Sequence, residues 1–554
     1  MSWQRVPPFQ PCLQVAIDPD ASFHRVRNPG FPSLSEIKQI SQSIAEAEKD
    51  ILDYDQDITS LRELLLTLEK KRDNLKKYIS HSKSYCLSII RRLPTEIMAE
   101  IFLLSHCQDW YENVECGWRY LSTRPPILPL TPLRLGRVCK LWHTIARGTP
   151  RLWSMFSVII TRGYHPGFTL KLLNVYLLHS DQHPLTLKIF LDDHYFRGDG
   201  FPKRAALMLI KHSHRWSEIN FHKCLDPSRE TQRVLSLKRD LPLLRNLTLT
   251  GFYEDDLELG IFAGASSSLE KVTLTHIRGK PDHLPLQHVH HLCLESIGLN
   301  NNDRLEDFLK SVVKDCSQLR FFEFGLSRAK CGKPEATNTR VPLKRLEHLC
   351  LKSMNWNHLN AFLSVFTLPL LHRFSWYAAP GESATIGNNQ FSLLVSRSNC
   401  SLSVLELINL WSPSGLCDML RSVPSLTELT VVPLGRSRRS KRVLPTLVQI
   451  LHVPDIILPN IVESDLTAEI FLPNLQKLTL EVVADEKDYD EFALADMIQS
   501  RWYLDNDRQT SVCCLKIIRL VLPVNLPREN LVKRLQPLKD AGLAVEIEEG
   551  NTCT

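Results

Sequence analysis

Between Ile37 and Ile79 the apolar residues fall on a heptad. One set of core positions is Ile37, Ile44, Ile51, Ile58, Leu65 and Ile79, broken only by Arg72; the other is Ile40, Ala47, Tyr54, Leu61, Leu68 and Leu75. A repeat of 3.5 residues holds one seam on one side of a helix, which is coiled-coil geometry. At 1.5 Å per residue the seam predicts a helix extending roughly 65 Å. Ser33 and Glu36 have the spacing of a capping box, which places the helix start there. Isoleucine at the first core position with leucine at the second favours two strands, so residues 37–79 allow a homodimer. A helix folded back on its own chain fits the same pattern. Residues 1–32 are proline-rich without periodicity and read as a mostly disordered tail, followed by the heptad helix over 33–82.

A second pattern starts beyond residue 180. The spacing LxxLxL, with aliphatic or aromatic substitutions, recurs in eleven copies, from Trp216-Ile219-Phe221 and Leu244-Leu247-Leu249 to Leu475-Leu478-Leu480 and Leu515-Ile518-Leu520. Between the copies at 216 and 426 the mean step is about 26 residues, the period of a leucine-rich repeat built from a short strand and a return segment. The asparagine that usually follows such a strand is largely missing, so the copies are degenerate. The interval between 426 and 475 is about two periods, which suggests one more copy near residue 450. Alternation along each strand sends its third and fifth positions outward, onto the concave face of a solenoid over 180–550. Lys271, His291, Phe321, Glu323, His348, Arg373, Glu406 and Glu428 are the candidate target-binding residues there. They mix both charge signs with apolar groups, which suits a protein partner better than a phosphate backbone.

Between these regions lie two short amphipathic helices. The first carries Leu93-Pro94-Thr95-Glu96-Ile97 and Ile101-Phe102; the second carries Val138-Cys139-Lys140-Leu141-Trp142 and is followed by Leu152-Trp153. In order and residue type this segment resembles the F-box over residues 87–156, with an insertion at 105–130 where a compact F-box has a short connection. The resemblance implies a small helical module that docks a Skp-type adaptor and, through it, a cullin. By motif, the docking residues would be Leu93, Pro94, Ile97, Ile101, Phe102, Val138, Cys139, Trp142, Leu152 and Trp153. The fold expected is thus α/β: a long coiled-coil-like N-terminal helix, a small helical F-box module and a leucine-rich-repeat solenoid. The function implied is that of a substrate-recognition subunit of a Skp–cullin–F-box ubiquitin ligase, itself without catalytic activity. The alternative is a leucine-rich-repeat scaffold, unconnected with ubiquitin and oligomerised by its coil.

Composition narrows the remaining choices. A formal charge of +6 over 554 residues is too mild to point to nucleic acid. The longest apolar stretch, Leu359 to Leu371, falls short of the ~20 residues a membrane span needs, so a cytoplasmic or nuclear location is expected. Fifteen cysteines without a CxxC pair read as reduced thiols rather than zinc ligands or disulfides. Gly325 and Gly332-Lys333 have the wrong spacing for a phosphate loop, and His283, His288, His290 and His291 lack the carboxylate or cysteine partners of a metal site. No cofactor and no metal are expected. The basic run at 436–442 reads as a solvated loop or an import signal.

Overall fold

The computed structural model describes residues 18–27, 30–87, 89–115, 130–160, 166–191, 201–223, 240–251, 262, 264–265, 268–277, 284–298, 305–326, 340–379, 390–410, 415–433, 443–453, 470–482, 489–502, 513–524 and 526–550. The chain separates into two units, Met1–Met98 and Ala99–Thr554. The basic run 436–442, His283, the Gly332-Lys333 pair and most of the insertion at 105–130 lie outside the described residues.

In the first unit, α1 (Pro19–Arg27) forms where the sequence suggests a disordered tail. Proline at its first position is preset for a helix, and the Asp18 carboxylate accepts from the Asp20 N–H at 3.0 Å, satisfying a free donor of the first turn. The 54-residue α2 (Leu34–Leu87) follows. The capping box forms: the Ser33 N–H donates to Glu36 Oε2 at 2.8 Å, and the Glu36 N–H to Ser33 Oγ at 3.4 Å. The Ser33 N–H, with the Ser33 hydroxyl donating to the same oxygen at 2.9 Å, holds the Glu36 carboxyl below its ordinary pKa. No glycine or proline occurs between Ser33 and Leu93, so the helix runs five residues beyond the heptad boundary at 82. Its seam is open: Ile44, Ile51, Ile58 and Leu75 are exposed by 52, 58, 44 and 62%.

In the second unit, helices α3 (Thr95–Glu115, which begins in the first unit), α4 (Thr131–Gly136), α5 (Lys140–Arg147) and α6 (Pro150–Trp153) precede a 14-stranded sheet. Its strands are β1 (Met155–Ile160), β2 (Leu185–Leu191), β3 (Trp216–Lys223), β4 (Asn246–Thr250), β5 (Lys271–Thr275), β6 (His291–Ile297), β7 (Phe321–Leu326), β9 (His348–Met354), β11 (Arg373–Ala378), β12 (Val404–Leu410), β13 (Glu428–Pro433), β14 (Lys477–Glu481), β15 (Ile517–Pro523) and β16 (Ala544–Gly550). The short β8 (Val341–Pro342) and β10 (Phe366–Thr367) pair with each other. Every pair is parallel, and once β8 and β10 are set aside each strand of the large sheet pairs with the next in chain order. In all eleven LxxLxL copies the second and third spaced residues lie on a strand, and all three spaced residues are buried.

Two expectations change. The sheet begins at Met155, ahead of residue 180, so Met155 and Phe156 at the end of the F-box-like segment belong to its first strand. Among the described residues no strand of the sheet lies near residue 450: Glu428 of β13 pairs directly with Lys477 of β14, and Val443–Leu451 is a helix.

A shared backbone feature recurs at the end of five of the strands. Gly251, His276, Ser296, Ser353 and Asn409, each five residues after the first residue of β4, β5, β6, β9 and β12, have φ of 82, 53, 54, 55 and 59°. One left-handed residue thus recurs at the same register position whatever its side chain.

Helices on the connections pack against the inward apolar rows. Phe362, from the helix Trp356–Val365, is fully buried and lies 5.9, 5.4 and 5.0 Å from the rings of Phe322, Phe324 and Phe366. Buried arginines close helix ends. Arg501 donates to the carbonyls of Leu451 (2.5 Å), Phe471 (2.6 Å) and Leu472 (3.1 Å), and Arg215 to those of Ser180 (3.0 Å) and His183 (2.8 Å). A cation there satisfies orphan carbonyls and meets the negative end of the helix dipole.

Candidate functional site

The F-box-like residues divide into frame and surface. On α3, Ile97, Ile101 and Leu104 recur at i, i+4 and i+7, on one face, and are exposed by 49, 44 and 70%. Phe102 and Leu103 are buried. In the second unit the Phe102 ring meets that of Trp142 on α5 at 4.9 Å, which ties the two helices together. Ile145 and Ala146 face inward from α5; Val138 and Cys139, expected on this helix, precede its first residue Lys140, and Val138 and Leu141 are exposed by 60 and 38%. Leu93, Cys139 and Trp142 are half-buried and Pro94 is exposed.

Leu152 and Trp153 are placed differently from a docking role. Both are buried. The Trp153 indole N–H donates to the Ala146 carbonyl at 2.6 Å, and its ring packs against Tyr176 at 5.2 Å and His179 at 4.8 Å. With Phe102 they are framework, and they leave no side-chain surface for a visitor. Leu104 and Leu141, absent from the motif-derived set, belong to the open surface; their helical spacing is the signal that finds them.

On the sheet, the outward rows follow the strand register. One row runs Lys271, His291, Phe321, His348, Arg373, Val404, Glu428 across β5 to β13. His291 stacks on Phe321 at 4.0 Å with ring planes 7° apart, and Phe321 meets His348 edge-on at 4.6 Å. The adjacent row contains Glu323, Ser375 and Glu406. Arg373 and Ser375 both reach Glu406 at 2.5 Å, His348 Nε2 lies 3.2 Å from Ser375 Oγ, and Lys352 pairs with Glu323 at 2.6 Å. Lys477 pairs with Glu428 at 3.2 Å. The eight predicted residues thus sit on one face, and five of them, with Ser375, form a connected strip from His291 to Glu406. Lys352 lies two residues beyond Cys350, where strand alternation again points outward.

Burial sets the titration of this strip. Burial first, then the Arg373 cation, pushes His348 down to about 4. Burial first, then the Glu323 carboxylate, pushes the Cys350 thiol up to about 12 and Cys293 higher still. These thiols are therefore poor nucleophiles at neutral pH. Ligand atoms of Cys293, Glu295 and Glu323 lie within 4.8 Å of one another, a spacing a metal ion could use. The Lys352 ammonium, 2.6 Å from Glu323 and 3.7 Å from Glu295, already supplies the positive charge there. Beside the strip is an open depression of about 610 Å³ lined by Asn246, Glu270, Lys271, His290, His291 and Arg320.

No protein-family description matches the chain. No curated protein matches it either. Among solved structures, it is similar to a Bacteroides fragilis protein solved as a structural-genomics target, with 14% identity over 57% of this chain and 69% of that one and a TM-score of 0.29. Among the described residues no helix is long and apolar enough to cross a membrane.

Proposed function

We propose that the chain is the substrate-recognition subunit of a Skp–cullin–F-box ubiquitin ligase. In this reading α3 and α5 dock the Skp-type adaptor, and the sheet, as a leucine-rich-repeat solenoid, holds a protein target on its outward face. Catalysis is then proximity supplied to another protein's active site. The observation that carries the reading is Ile101, Leu104, Val138 and Leu141 of the second unit left open to solvent within the F-box-like motif. Exposed large apolar side chains on α3 and at the start of α5 suit a binding surface, where aliphatic and aromatic anchors supply most of the affinity. The contact of the buried Phe102 ring with Trp142 and the Trp153 bond to Ala146 support it by fixing α5 and α6.

The outward strip supports a protein target. Its ion pairs Arg373–Glu406, Lys352–Glu323 and Lys477–Glu428 are neutral in sum, and its aromatic step gives an apolar contact amid polar groups. Pull-down with purified Skp-type adaptor tests the proposal. The full chain should capture the adaptor, and Ile101→Asp with Val138→Asp, both at exposed positions, should abolish capture while leaving the circular dichroism spectrum unchanged. A folded chain that captures no adaptor is instead a leucine-rich-repeat scaffold, and the ligase reading fails.

A further inference from the structure

Helix α2 keeps its apolar seam uncovered, and its charges say what covers it. From Leu34 to Thr59 it carries seven carboxylates and two amines; from Ser60 to Leu87 it carries seven cations and three carboxylates. The positions flanking the seam follow suit: Glu36, Glu48, Asp50, Asp55 and Asp57 in the first half, and Arg62, Lys71, Lys76 and Lys83, with Glu69, in the second. A parallel pair would set acid against acid and base against base. It would also bring Arg72, a core position, against its own copy in the seam. A helix running the other way meets neither problem.

We propose that α2 pairs with α2 of a second copy as an antiparallel two-stranded coil, in the register that sets Ile51 against the partner's Leu68. In that register Ile44 meets the partner's Leu75, Ile58 the partner's Leu61, and Leu65 the partner's Tyr54. Arg72 then faces the partner's Ala47, the smallest residue of the seam, at the acidic end of that helix. Asp55 lies beside the partner's Arg62 twice, once on each side of the dyad. Each large residue thus finds a hydrophobic or small counterpart along the whole overlap. The flank from Glu46 to Asp57 is partly covered, with Asp50 buried, yet the isoleucines of the seam stay open. The two chains leave the coil at opposite ends, about 80 Å apart by the helix rise. The inference stands apart from the ligase reading and survives its failure.

Light scattering and cysteine crosslinking on the full chain test it. Micromolar protein should have twice the 63.6 kDa chain mass. Under mild oxidation, coexpressed Ile51→Cys and Leu68→Cys chains should crosslink to each other above the level of the unsubstituted chain, and neither variant should crosslink to itself. Ile58→Asp should return the chain to monomer with the sheet's unfolding transition unchanged. A monomeric mass for the unsubstituted chain, a mass above the dimer, or self-crosslinking of either single variant overturns the proposal.

Discussion

Helix α2 and the 14-stranded sheet are both built from periodic apolar residues, yet they treat them in opposite ways. In α2 the isoleucines are about half exposed; in the sheet Leu247, Leu292, Leu349, Leu405 and Leu478 have no accessible surface. The difference lies in what the period brings together. An LxxLxL copy is one of many, so each strand's apolar row is covered by the next strand and its helix in the same chain. A heptad occurs once, and its stripe needs a second helix of the same length. Among the described residues this chain leaves that stripe open. A repeated unit is its own partner; a single one needs a partner from elsewhere.

The largest effect is expected in the aromatic core. Phe362→Ala should cost about 4 kcal/mol of sheet stability by urea unfolding, because transfer and cavity terms add. Ile58→Ala on α2 should leave the same transition within about 0.5 kcal/mol, as expected for a surface change away from the core. Equal losses would erase the distinction between seam and core.

Next comes Arg501, held by three carbonyls and almost fully buried. Burial lowers its pKa to about 10, still charged at neutral pH. Arg501→Leu should cost about 3 kcal/mol, since the carbonyls lose charge-assisted bonds without gaining water. A neutral result in the urea midpoint would mean that other groups close the helix end at Leu451.

The outward strip sharpens the picture through pH. His348 titrates near 4 when folded and near 6.5 when unfolded, so the unfolded chain binds more protons between those values. Its stabilising effect is complete above 6.5 and is lost as pH falls toward 4. His348→Gln should therefore reduce the drop in urea midpoint between pH 7 and pH 5 relative to the unsubstituted chain. An unchanged drop would place the titration elsewhere.

The smallest effect is expected at the left-handed residue after β9. Ser353 has φ of 55° and is exposed, so Ser353→Gly should gain about 0.5–1 kcal/mol by relieving backbone strain. A loss would show that the hydroxyl matters more than the backbone at that turn.

Most strands were legible because LxxLxL spacing reports the inward row directly. β2 and β16 lack the complete motif; β1 carries it as Trp153-Phe156-Val158, but its first residue also closes the F-box-like segment, which hides the strand, and the apolar run at Val443–Leu451 reads equally well as strand or helix. The recurrent left-handed turn was invisible because glycine, histidine, serine and asparagine share it only in the backbone. At the F-box-like segment, periodicity marked Phe102, Leu152 and Trp153 as apolar but not as covered. Coverage depends on Trp142, Ala146, Tyr176 and His179, which only the folded chain brings to them. On the sheet, Cys293, Cys350 and Ser375 occupy outward positions yet are buried among the larger side chains around them.

The adaptor reading is tested most directly by hydrogen exchange on the full chain with and without purified Skp-type adaptor. Protection should appear in peptides covering 95–107 and 138–147, with the strands from Asn246 to Glu481 unchanged. Adaptor that binds without slowing exchange in those two peptides, or that fails to bind at all, would contradict the account.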